Sequence, residues 1–216
     1  MVHLLKDHHI NPKRIRRLFG LMEYRAIYAR RNLSKLGLAQ YIKPYLLRGM
    51  KITRPNQVWC TDITYIPMRR GFLYLTTVMD VYSRKVLAWG ISNTLEAAWS
   101  LKVVEDAIDR YGLPEITNSD QGSQYTSFAW GNFMEKQGIK ISMDGKGRAT
   151  DNAWIERFWR TIKKDHLYLN PAETGTELYQ QVEYFVNYYN NRNHQGIKDK
   201  PNNLYKSNSL PLNKAS

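Results

Sequence analysis

The hydrophobic positions change period along the chain, and those changes mark the elements. Asn11-Pro12 reads as an N-cap followed by proline at the first helical position, and Ile15, Leu18, Phe19 and Met22 follow at helical spacing. From residue 36 to 55 the periodicity lapses while Gly37, Pro44, Gly49 and Pro55 accumulate, which predicts a connecting segment. Alternation then takes over: residues 57–66, 72–80 and 85–92 read as three strands separated by Arg70-Gly71 and Tyr82-Ser83-Arg84. Connections this short imply an antiparallel meander. Asn93 with Glu96 three residues on resembles a capping box, and Ala97, Leu101, Val104, Ile108 and Tyr111 mark a helix stopped by Gly112 and Pro114. A short strand at 115–120, a helix at 127–137 and a strand at 140–143 follow. A glycine-containing loop at 144–150 then leads into a helix at about 152–167, and a last helix covers roughly 176–190.

This order predicts an α/β layer with a mixed five-stranded sheet flanked by helices, consistent with a ribonuclease H-like core behind a short basic helical arm. The expected division is 1–50 for the arm, 51–206 for the core and 207–216 for a tail. Fold alone does not fix function, so chemistry must come from placed residues. Asp62 lies inside the first strand among Trp59, Ile63 and Tyr65, where a charge is costly unless something binds it. Asp120 ends the fourth strand just before Gln121-Gly122-Ser123, at the sheet edge where functional groups gather. Glu156 lies one turn into its helix. Two Asp and one Glu from separate elements suit a pair of divalent ions roughly 3.5 to 4 Å apart on a phosphodiester. Taken singly, each acid reads as a solvated or ion-paired carboxylate, and only the constellation points to metal chemistry. Oxygen donors without a Cys or His cluster favour Mg²⁺, or Mn²⁺, over zinc.

Charge changes the picture next. With 32 Lys and Arg against 19 Asp and Glu, the formal charge of +13 makes nucleic acid the leading partner. Residues 1–50 hold 11 of those cations with only Asp7 and Glu23, giving +9 and leaving +4 for the rest. Arg14, Arg16, Arg17 and Arg25 surround the apolar stripe of the first helix, as a DNA-reading helix or an ordinary solvated face would require. Arg160 and Lys163, four and seven residues after Glu156, share its helical face and would aim at phosphate beside the metals; the plainer reading pairs Arg160 with Glu156. The single Cys60 excludes an internal disulfide and any multi-cysteine zinc site, so His8 and His9 are not expected to ligate zinc. No apolar run is long enough to cross a bilayer and the start lacks a signal-peptide core, so a cytosolic protein without a membrane partner is expected.

Four blocks, in order, carry a resemblance to the insertion-sequence transposases of the retroviral-integrase superfamily, of the kind encoded in a second reading frame. They are Trp59-Cys60-Thr61-Asp62-Ile63-Thr64-Tyr65, Asp80-Val81-Tyr82-Ser83-Arg84, Ser119-Asp120-Gln121-Gly122-Ser123-Gln124-Tyr125 and Asp151-Asn152-Ala153-Trp154-Ile155-Glu156-Arg157-Phe158. Tyr189-Asn190, Arg192, His194 and Pro201 resemble that family's closing segment, and 35 residues separate Asp120 from Glu156 as in its triad. The resemblance implies a transposase catalytic subunit: Asp62 touching both of two ions, Asp120 and Glu156 completing their shells, and DNA as partner at transposon ends and target. A homo-oligomer on DNA is expected. Many relatives have His before the Ser-Asp pair, where this chain has Asn118. The family also carries a fuller helix-turn-helix ahead of the core, so residues 1–50 read as a truncated form of it.

Rival readings are a DNA-binding remnant that does not cut, a ribonuclease H-type nuclease acting on hybrids, and a tyrosine recombinase, whose motif is missing. Phe158 reads as core and Cys60 as a small core residue, while Trp154 and Trp159 could be core or could stack on bases. His194 reads as structural or incidental. Gly145 and Gly147 around Lys146 would give a mobile loop over a DNA end.

Overall fold

The computed structural model describes residues 11–22, 41–145 and 152–208. The chain divides into two compact units, Met1–Leu36 and Gly37–Ser216. In the first, helix α1 (Pro12–Leu21) starts as expected: the Asn11 side chain accepts from the Lys13 N–H, with proline at the first helical position.

The second unit holds strands β1 (Val58–Pro67), β2 (Phe72–Asp80), β3 (Val86–Ser92), β4 (Ile116–Ser119) and β5 (Lys140–Met143) in one sheet of order β3-β2-β1-β4-β5. The meander β1-β2-β3 is antiparallel, and β4 and β5 add in parallel. Helix α2 (Ala97–Tyr111) makes the crossover from β3 to β4, followed by α3 (Phe128–Lys136), α4 (Ala153–Ile162), α5 (Gly175–Asn191) and α6 (Pro201–Asn208). A mixed five-stranded sheet flanked by helices is therefore what the sequence pattern specifies.

Alternation along β1 assigns the two faces. Val58, Cys60 and Ile66 pack with α4 and α5, through Ile155, Phe158, Ile162, Leu178 and Val182. Trp59 faces the other way, into a cluster with Val103 and Val104 of α2 and Trp130 and Met134 of α3. Residues 41–50 pack with this unit: Leu47 is buried, and Leu46 N–H donates to Ser142 Oγ at 3.0 Å.

Element ends follow their caps. Gly112, at φ +80°, closes α2, and the Ser127 hydroxyl accepts from Trp130 N–H at 3.2 Å to open α3. The expected Asn93 capping box is corrected: α2 starts after Glu96, three residues later, with no side-chain cap bond, and the local side-chain bonds ahead of it join Ser92 and Thr94. Two elements were not foreseen: α6, and a π-helical turn at Lys163–Leu167 that ends the α4 rod. No described helix is long and apolar enough to cross a membrane.

Candidate active site

Alternation on β1 puts Asp62 and Thr64 on the same face as Cys60 and Ile66, toward α4. Asp62 is accordingly tied to that helix: Trp159 Nε1 donates to its Oδ2 at 2.9 Å, while Ile63 N–H donates to Oδ1 at 2.8 Å. One helical turn further, Lys163 Nζ donates to Thr64 Oγ1 at 2.6 Å and lies 5.1 Å from the Tyr65 ring centre. Helix and strand thus run alongside each other, stitched at two levels.

The parallel register does the rest. Cys60 pairs with Asn118 and Ser119 with Met143, where the ladders end; Asp62 lies two residues past the first pair in β1, and Asp120 and Asp144 each follow directly on the last residue of β4 and β5. Parallel strands all present their carboxyl ends to the same edge, which is how acids distant in sequence meet. Burial raises the Asp62 carboxyl to about 7, and the like charges of Asp120 and Asp144 add to that push; the Trp159 and Ile63 donors oppose it.

Asp120 is exposed and turns back on its own loop, with Oδ1 accepting Gly122 N–H at 2.9 Å. A Cβ on Gly122 would stand 2.9 Å from that oxygen and 2.6 Å from Gln124 Oε1, so only glycine leaves the carboxylate where it is. Asp62 and Asp120 line one cavity of about 200 Å³, together with Ile63, Tyr65, Tyr74, Leu95, Gln124 and Tyr125. Tyr125 is buried, its hydroxyl 3.3 Å from Thr61 Oγ1, and burial pushes its phenol up, so it stays protonated.

Glu156 stands exposed on α4, three residues before Trp159 and on the same side of the helix. It does not line the cavity, and among the described residues no three acids, histidines or cysteines stand close enough to hold a metal. Arg160 is exposed, without an ion pair to Glu156. Arg14 and Arg17 are exposed on α1, and Arg16 lies on the same helix.

The remaining sequence expectations sort quickly. Cys60 and Phe158 are buried core residues, and burial pushes the Cys60 thiol up. His194 Nε2 donates to the Tyr189 carbonyl at 2.8 Å and its ring meets Tyr189 edge-on, a structural role. Trp154 carries the Arg84 guanidinium 5.1 Å from its ring centre. His8, His9, Arg25, Lys146 and Gly147 lie outside the described residues.

Two participants escaped the sequence. Asp144 reads there as a loop residue, yet Asn118 Nδ2 donates to its Oδ1 at 2.7 Å and its N–H reaches the Ser119 carbonyl. Trp159 reads there as a core or base-stacking aromatic, not as a donor to Asp62. Counting three positions on from Glu156 would have put its ring on the acidic face.

Comparison with known proteins gives consistent matches. Residues 52–149 and 137–201 match two family models, each described as integrase core domain. The transposase for insertion sequence element IS904 of Lactococcus lactis subsp. lactis (strain IL1403) is 36% identical over 214 residues, covering 92% of this chain and 82% of that protein. Transposase InsF for insertion sequence IS3A of Escherichia coli (strain K12) is 35% identical over 111 residues, covering 50% of this chain and 38% of its own length. Among solved structures, the HTLV-2 integrase catalytic core domain in complex with magnesium (trimeric form) superposes with a TM-score of 0.60 at 18% identity. It covers 72% of this chain and 99% of that one. That likeness shows the fold, a ribonuclease H-like integrase core.

Proposed function

Because the chain belongs to the insertion-sequence transposases of the retroviral-integrase superfamily and is a DNA transposase catalytic core, we propose that Asp62, Asp120 and Glu156 are its catalytic carboxylates. The observation that carries this reading is the cavity that Asp62 of β1 and Asp120, just past the end of β4, line together. Transposase matches along 92% of the chain favour it over a ribonuclease H-type nuclease.

The donor set fits divalent metal. Two carboxylates converge on a cavity without a Cys or His in its lining, which suits Mg²⁺ or Mn²⁺ and not zinc. Asp62 would contact two ions, with Asp120 and Glu156 completing their shells. When bound, such ions supply activation of the attacking oxygen and neutralise charge at the leaving oxygen. Water attacks a phosphodiester at the transposon end, releasing a 3′ hydroxyl that then attacks target DNA by transesterification, without a covalent enzyme intermediate. The chain's own residues prepare that step. Trp159 and the Ile63 N–H fix the Asp62 carboxylate and favour its ionised form, and Lys163 and Arg160 offer positive charge on the same helical face. Arg14, Arg16 and Arg17 supply general attraction to DNA, and the protein works as a homo-oligomer assembled on it.

Asp62→Asn, Asp120→Asn and Glu156→Gln are each expected to lower Mg²⁺-dependent nicking by roughly a thousandfold or more, with duplex binding largely kept. Double variants should be no worse than singles, since one cage fails as a unit. Undiminished nicking by any single variant removes that residue from the site, and a wild-type chain that binds without nicking would be a silent remnant.

A further inference from the structure

On another side of α4 from Glu156 and Trp159 lies a second cavity, of about 470 Å³, bounded by α4, the end of α5 and residues 192–197. Three guanidinium groups from three separate elements line it: Arg84 from the β2–β3 turn, Arg157 from α4 and Arg192 from the C-cap of α5. Asp165 is the one carboxylate in its lining. None of the three arginines forms an ion pair among the described residues, and Arg84 Nη1 is buried with no hydrogen-bond partner.

That is an expensive arrangement without a ligand. A buried guanidinium donor left unsatisfied is costlier than an exposed one, and neighbouring like charges add to the cost. The cost registers on Arg84 itself: burial increases its acidity, Cys60, Tyr189 and Asp80 oppose that, and Arg157 adds a smaller push in the same direction as burial. The cations are also held in place. Arg84 packs 5.1 Å from the centre of Trp154, and Arg192 lies 5.3 Å from Tyr188 and 5.7 Å from Tyr189. Stacking uses the face of a guanidinium and leaves its in-plane N–H donors available, and those donors match phosphate oxygens in a fork. His194 adds no charge, because burial and then Arg192 hold its ring below the usual histidine range.

We infer that this cavity binds a phosphodiester of the DNA, one other than the scissile group, clasped by Arg84, Arg157 and Arg192 so that the strand wraps α4. The inference rests on the transposase reading above and gives that reading a second anchor. α4 would then be gripped by DNA on two of its sides, with Glu156, Arg160 and Lys163 toward the chemistry and Arg157 away from it.

The test uses the full chain and a fluorescein-labelled duplex, with anisotropy followed across a salt series. Arg157→Gln and Arg192→Gln should each make the slope of log affinity against log salt shallower by about 0.9, the value for one lost contact, while the hairpin variant Arg70→Gln leaves it unchanged. Circular dichroism confirms that each variant folds. In parallel, phenylglyoxal modification mapped by mass spectrometry should show Arg157 and Arg192 protected when duplex is added. Wild-type slopes in both variants with no protection overturn the inference and leave DNA binding elsewhere intact. Protection by inorganic phosphate but not by duplex overturns it too. If the wild-type chain binds no duplex at all, the transposase reading falls, and the inference with it.

Discussion

Asp62 and Asp80 are two carboxylates in one sheet with opposite surroundings. Asp80 is fully buried, yet its oxygens accept from Asn56 N–H, Ser83 N–H and the Ser83 hydroxyl at 2.6 to 2.9 Å, which is the wiring of a turn. Asp62 has only two donors, and burial first, with the like charges of Asp120 and Asp144 adding to it, raises its carboxyl to about 7. An unfolded chain would lose that proton near 3.9. As pH rises between these values the unfolded state ionises first, so the stability contributed by protonated Asp62 is present below about 4 and lost by about 7. In metal-free buffer Asp62→Asn should therefore melt higher than wild type by a margin that grows from pH 4 to 7 and then levels off. After discounting solvent screening, the plateau is worth roughly one to a few kcal/mol. Thermal melts across that range with chelator check it, and a margin independent of pH would show that Asp62 is not strained. Trp159→Phe keeps one six-membered ring but removes the pyrrole half and its donor to Oδ2, so Asp62 should hold its proton to higher pH. Nicking should then rise with pH later than in wild type, with a melting temperature lowered by the space the buried indole leaves. A superimposable pH profile would mean that the indole only fills space.

At the level of elements, the strands were legible because a half-buried strand must alternate, and the acid positions followed from that alternation and the turn after β4. The antiparallel pairing of β1, β2 and β3 was legible from their short connections, but the register of β4 and β5 was not. Nothing near Asp144 in sequence announces that β5 will bring its charge to bear on Asp62, since register is decided by packing on both faces of the sheet. Helix α6 was missed because eight residues with few apolar positions give little periodicity, although Tyr205 buries itself and bonds Asn56 Oδ1 at 2.9 Å. Glu156 shows the other gap: the helix was foreseen, but its acid stands outside the cavity that Asp62 and Asp120 share. The turn after β4 offers an experiment at this scale. In Gly122→Ala the new methyl meets only the movable ends of Asp120 and Gln124, so stability should change by less than about 1 kcal/mol while nicking falls at least tenfold. Normal nicking would show that Asp120 works equally well elsewhere. On α4, Lys163→Ala should weaken binding to a cleaved DNA end more than to random duplex, and equal weakening would make it a general phosphate contact.

The whole molecule separates charge from chemistry. Residues 1–36 hold nine Lys or Arg against Asp7 and Glu23, more than half of the net +13. Deleting them, and sparing residues 41–50 because Leu47 belongs to the core, should flatten the salt dependence of duplex affinity by roughly 3 to 4 units if four cations meet phosphate. Nicking at high enzyme concentration should survive. An unchanged slope would mean that the first unit does not carry nonspecific binding. The stitch between Trp159 and Asp62 spans 97 residues of chain, and β1 meets β4 only through the α2 crossover. Contacts of that span form late, since the intervening loops must close before the pairing repays them. A polypeptide still emerging from the ribosome, or one ended by a stop codon before α4, therefore carries Asp62 without the Trp159 bond that fixes it and without Glu156. On the proposed assignment, a chain ended before residue 152 should show no nicking at all, however much of it is made.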